Sequence, residues 1–250
     1  MKTIVLATLM LFFELAAQCQ NNPKVWFDSQ YSDALYQCKN YKTLIAKSLS
    51  NCGIPTEEAL AIVFPEMLRY SLWRDFFETK ALEIGYVEEG RTVADFSIGW
   101  CQMKPSFCED VEMLISQDSV LSQRYTHIIT YQNGRDKSRL VHRNNPQNNT
   151  PQIRQQRINR LKQFEWQLQY LNAFVAINRT RIDTTLTNIQ QLTLFAAAYN
   201  KGIHCTLEEL KAFETQKTFP YGPNRKNPFG YVELSQYFYQ NDAIFIYNNH

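Results

Sequence analysis

Pro55-Thr56-Glu57-Glu58-Ala59-Leu60-Ala61-Ile62-Val63-Phe64-Pro65-Glu66-Met67-Leu68 decides the fold. Thr56 is placed to cap a helix, and Glu57 and Glu58 fall in the first turn, where the dipole favours carboxylates. Ala59, Leu60, Ile62, Val63, Met67 and Leu68 recur at helical spacing, which predicts a helix facing the core. Pro65 lacks an N–H and crowds the carbonyl of Ala61, so a kink is expected one residue before Glu66.

Outward from this stretch the helical period recurs. The segment from Asn21 to Ser50 predicts a helix around Asp33 to Ser48. Leu72 to Tyr86 reads as an amphipathic helix through Phe76, Phe77, Leu82 and Ile84, and Ser106 to Arg124 as another. Gln132 to Gln152 is polar and Asn-rich, a surface loop. From Ile153 a long helix is expected to about Asn178, on Leu161, Phe164, Leu168, Leu171 and Val175. Its Arg154, Arg157 and Arg160 are expected on the solvated outer face. Leu186, Ile189, Leu192 and Phe195 lead a helix into Tyr199-Asn200. Phe219 to Phe229 is a Pro/Gly loop, and Tyr231, Leu234 and Phe238 begin a terminal helix. The expected fold class is mainly α, a helical bundle domain with a cleft and at most a small hairpin between Tyr86 and Gln102.

The 250 residues suffice for one sizeable core. With 44% hydrophobic and 14% aromatic residues, and only 8 glycines and 9 prolines, the chain is globular rather than low-complexity. A formal charge of +2 gives a nucleic-acid partner no electrostatic support.

Lys2, the apolar run Ile4 to Phe13, and Ala16-Ala17-Gln18 have the layout of a signal peptide over residues 1–18, although Glu14 interrupts it. Residues 19–250 are then a single exported domain, with secreted or periplasmic localisation. Membrane attachment is expected only if Cys19 carries a lipid. Export permits disulfides. Cys38 with Cys52 and Cys101 with Cys108 are near enough in sequence to pair, and Cys205 is left over, although spacing does not fix a pairing. No Cys-x-x-Cys or His-x-x-x-His spacing occurs, so a metal site is not expected. Asn148-Asn149-Thr150 and Asn178-Arg179-Thr180 match the glycosylation pattern.

Two further stretches carry chemistry: Ser97-Ile98-Gly99-Trp100-Cys101-Gln102-Met103-Lys104-Pro105 and Ala198-Tyr199-Asn200-Lys201-Gly202. Cleaving a glycosidic bond needs a carboxylic acid that stays protonated near neutral pH. Glu66 follows Ile62, Val63 and Phe64, and both burial and a late place in its helix disfavour its ionised form. Taken alone, Glu66 reads as an ordinary surface acid at a helix end.

The order of the three segments, followed by Tyr231, resembles the soluble lytic transglycosylase family, which is related to goose-type lysozyme. The resemblance covers roughly Thr56 to Phe238. It implies a lysozyme-like fold that cleaves the MurNAc–GlcNAc bond of peptidoglycan glycan strands and forms a 1,6-anhydro ring, without metal or cofactor. By the same resemblance Glu66 is the acid and then the base. Gln102 lines the cleft, Tyr199 and Asn200 flank the carboxyl group, and Tyr231 approaches from the far side. Ser97, at the start of the turn, joins the substrate-binding set. Gly99 suits a turn that lets backbone approach sugar, and Trp100 is either a sugar platform or a core anchor.

The chain departs from the family's pattern. Met67 stands where the family has Ser, and Trp100-Cys101 replace Leu-Met. The interval from Glu66 to Gly99 is longer, consistent with an inserted helix near residues 72–89. That insertion brings Glu78, an alternative acid. Asp95 offers a second carboxylate for an inverting hydrolase, and also reads as a turn former. A glycan-binding module on a decayed lysozyme scaffold is a third reading. A Cys101 nucleophile would need His127, His142 or His204 as base, and no spacing links them.

Overall fold

The computed structural model describes residues 22–73, 79–129 and 149–248. The expected signal peptide, Cys19, Glu78, His142 and nearly all of the stretch 132–152 expected to be a loop lie outside the described residues.

Helix α1 spans Pro23–Asn40, α2 Lys42–Leu49, α3 Thr56–Trp73 and α4 Thr79–Glu89. Helices α5 (Pro105–Gln117) and α6 (Ser119–Arg124) follow, then α7 (Pro151–Leu161) and α8 (Phe164–Asn178). Helices α9 (Asn188–Lys201), α10 (Leu207–Phe213) and α11 (Tyr231–Phe238) lead through a π turn at Tyr239–Ala243 into α12 (Ile244–Asn248). The fold is mainly helical.

Helix α3 is its axis. Every residue from Ala59 to Phe64 is fully buried, as are Met67 and Leu68. A helix apolar on all sides belongs inside a bundle, and α1, α9 and α11 enclose it. Each large apolar side chain so buried contributes about 1.5–3 kcal/mol.

Several boundaries differ from the sequence expectation, each for a local reason. The Ala59 N–H bonds the Pro55 carbonyl, so Pro55 occupies the cap position and Thr56 is the first helical residue. The helix does not end near Glu66 but runs through Pro65 to Trp73, which removes the dipole argument for Glu66. Asn22 accepts from the Lys24 amide with Pro23 at the first position, starting α1 earlier than Asp33. Asp118 caps the Val120 and Leu121 amides and so begins a new helix. The expected long helix is two: α7 stops at Leu161, Gln163 is extended, and the Gln167 side chain donates to the Leu161 carbonyl at 2.6 Å.

In place of a hairpin there is an isolated bridge, Ile98 to Met103, and a second joins Phe219 to Phe229. Cys38, Cys52, Cys101, Cys108 and Cys205 are free thiols, so neither suggested pair is bridged. Asn178 is buried, donates to the Phe174 carbonyl and accepts from Arg181, so its sequon offers no acceptor surface.

The arginines overturn the solvated-face expectation. Arg157 is fully buried and paired with Glu112, which is also fully buried, at 2.8 Å, with the Tyr86 hydroxyl at 2.6 Å. Arg154 donates to the Val87 carbonyl, and Arg160 to that of Ile128. These cations tie α7 to α4, α5 and the segment after α6. Hydrophobic periodicity cannot reveal a charge that is buried because a distant carboxylate meets it.

Candidate active site

Four segments distant in sequence meet at an open cleft of about 520 Å³, well within the range of ligand sites. Helix α3 contributes Glu66 and Arg69, the 97–104 turn contributes Ser97, Gln102, Met103 and Lys104, and the end of α9 contributes Tyr199, Asn200 and Lys201. Thr218 and Gly222 come from the loop before α11.

Glu66 is 4% exposed and lies among the cleft's lining residues. A single nitrogen of Arg69, Nη1, donates to both its oxygens, at 2.9 and 2.7 Å. The Asn200 amide reaches Oε1 at 3.4 Å, a long contact. Burial pushes the Glu66 carboxyl above the ordinary Glu range; Arg69, Asn200 and Lys104 oppose it. Burial outweighs them, so the proton-bearing form is favoured relative to an exposed Glu.

The turn is built to hold its shape. Ile98 and Met103 exchange backbone hydrogen bonds at 2.9 and 3.1 Å. Gly99 has φ +68°, and a Cβ there would overlap the Gln167 side-chain amide. Gln167 accepts from the Cys101 N–H at 2.8 Å while donating to Leu161. The glycine therefore admits a core side chain, rather than letting backbone approach sugar. Gln102, itself at φ +48°, folds its amide back onto the Gly99 carbonyl at 2.9 Å.

Tyr199 donates to the Cys101 carbonyl at 2.8 Å, clasping the turn to α9. Tyr231 is fully buried and donates to the Ile62 carbonyl at 3.0 Å, one residue on from the carbonyl that Pro65 deprives of its helical partner. It therefore braces the acid's helix. Asp95 is absent from the cleft lining; it accepts from the Ser106 amide at 3.1 Å and hydroxyl at 2.8 Å, capping α5. Trp100 is half-buried, with its ring centroid 4.5 Å from that of Tyr70.

Cys101 is fully buried, and burial, then Cys38 and Glu66, push its thiol well above the ordinary range. His127 meets Gln169 and His204 meets Asp110. A nucleophilic thiolate is thus disfavoured at Cys101. Among the described residues no cluster of three or more His, Cys, Asp or Glu side chains is grouped to hold a metal ion. No described helix is long and apolar enough to cross a membrane.

Arg69 is the site residue that motif reading missed. Its place three residues after Glu66 on one helix, where side chains meet, was the available signal. Lys104 and Lys201 likewise lie within quoted motifs but were not singled out, and with Arg69 they set three cations along the cleft. The chain matches no family model, no curated protein and no solved structure at a significant level.

Proposed function

We propose that this chain is an exported peptidoglycan lytic transglycosylase in which Glu66 acts first as acid and then as base. The observation that carries the reading is a buried carboxyl group with a raised proton affinity facing an open, ligand-sized cleft. In the reaction Glu66 gives its proton to the glycosidic oxygen, and the C1–O bond electrons leave with the departing sugar. The resulting carboxylate stabilises the positive charge at C1 and then takes the proton of the C6 hydroxyl as its oxygen closes on C1. The products are a 1,6-anhydro end and a free hydroxyl, with no water consumed. Gln102, Ser97 and Asn200 supply polar contacts along the sugar; Tyr199 and Tyr231 keep the turn and the acid's helix in register.

The commitment of Asp95 to Ser106 favours this route over an inverting hydrolase, which needs a second carboxylate poised over a water. The Arg69 ion pair, which opposes protonation of Glu66, is the observation that favours the non-catalytic glycan-binding reading. Mass spectrometry of fragments released from purified peptidoglycan separates all three. Anhydro ends, one water lighter than reducing ends, are expected. Reducing ends would favour the hydrolase, and binding without any fragment release the module.

A further inference from the structure

Arg69 serves Glu66 with one nitrogen, although its fork carries donors on three. Its Nε is buried and has no partner among the described residues, an imperfect seat, because buried donors are normally satisfied. The guanidinium carbon lies 4.8 Å over the Phe219 ring, which offers a cation a surface on which to shift. Its side chain is 24% exposed and lines the cleft. Of the described residues lining that cleft, Glu66 is the sole acid, against Arg69, Lys104 and Lys201. A carboxylate entering the cleft would find unused fork donors and a surplus of positive charge. Guanidinium and carboxylate match in a two-point geometry that the present single-nitrogen contact does not use.

We propose that Arg69 is a ligand-released latch: in the free protein its ion pair opposes protonation of Glu66, and a carboxylate borne by the glycan draws the guanidinium away so that Glu66 holds its proton more firmly. This rests on the glycan-cleaving reading above. The proton comes from solvent hydronium, which leaves water; no bond other than O–H forms. Arg69 is thus a positioning residue that acts through Glu66 and also selects for an anionic strand. The charged or titratable groups facing Glu66 are Arg69 on its own helix, Lys104 and Cys101 on the turn, Tyr199 on α9 and Tyr231 on α11. Of these, Arg69 alone holds the carboxylate in an ion pair, so its departure is the event that frees the acid.

The test compares the wild-type protein, Arg69→Gln and Arg69→Lys on peptidoglycan strands with free carboxylates and on the same strands after amidation. Wild type is expected to lose at least tenfold in kcat/KM on amidation, Arg69→Gln to be indifferent to amidation and faster than wild type on amidated strands, and Arg69→Lys to retain part of the preference. The alkaline limb of the Arg69→Gln profile moves to higher pH, because a cation that lowered the Glu66 pKa is gone. An unmoved limb, or amidation selectivity retained in Arg69→Gln, overturns the latch. Carboxyl-carbon NMR of Glu66 supplies a readout independent of turnover and reports folding in the same sample. Titration of Glu66 at the same pH in both chains overturns the latch even if neither cuts glycan. A higher titration in Arg69→Gln, with no cleavage by wild type, sustains the ion pair's control of Glu66 and sinks the glycan-cleaving reading instead.

Discussion

Two buried acids on one helix behave differently because their neighbours differ. Glu66 has Arg69 and Asn200 to oppose the cost of burial. Glu58 is 1% exposed, and its Oε1 has no partner among the described residues. Burial, then Glu57, pushes its carboxyl up to about 7 against the pull of Arg179. A folded-state pKa raised in this way makes the neutral acid the form the fold prefers. Its stabilisation is complete below the unfolded value, near 4.3 for Glu, and fades as pH rises through about 7. Glu58→Gln should therefore flatten the fall in Tm between about pH 5 and about pH 8; an unchanged slope in thermal melts would contradict this. Tyr231 offers a second test. Removing its hydroxyl deletes a buried hydrogen bond to the Ile62 carbonyl, so Tyr231→Phe should cost about 0.5–1.5 kcal/mol in denaturant unfolding. No loss would show that the hydroxyl does not brace the helix.

At the scale of elements, the turn that carries Gln102 depends on α8 as much as on its own residues. Gly99→Ala puts a methyl group into the Gln167 amide at a left-handed φ, and should destabilise by about 2 kcal/mol or more. Stability equal to wild type in chemical unfolding would refute that dependence. The period of apolar residues announced most helices: the core of α3, the run into Tyr199-Asn200 and the start at Tyr231 stand where spacing placed them. Their ends did not follow from periodicity, because caps decide them. Asn22, Asp118 and Thr150 each accept from backbone amides at a helix start. The break between α7 and α8 needs Gln167, whose role lies in contacts across the fold.

For the whole molecule, a buried ion pair fastens the α5–α7 corner while apolar packing fixes the α3 axis. Arg157→Met alone leaves Glu112 charged and buried, and should cost about 3–5 kcal/mol; replacing Glu112 by Leu in the same chain should recover much of it. Simple additivity of the two losses would refute the pairing. This layer of the fold was illegible in sequence, since nothing in the order of residues sets Arg157 against a carboxylate 45 positions away. The candidate site was better marked: Glu66, Gln102, Tyr199 and Asn200 do converge on one cleft. Asp95 faces Ser106 instead, and Arg69 emerged only once the helix was seen to continue past Pro65. Everything proposed here depends on the side chain at position 66 shuttling a proton to and from a bound sugar strand. The most direct measurement is the rate at which Glu66→Gln solubilises purified peptidoglycan, alongside its Tm. The account predicts a loss of at least about a hundredfold with the melting temperature kept; a variant that works as fast as wild type would contradict it.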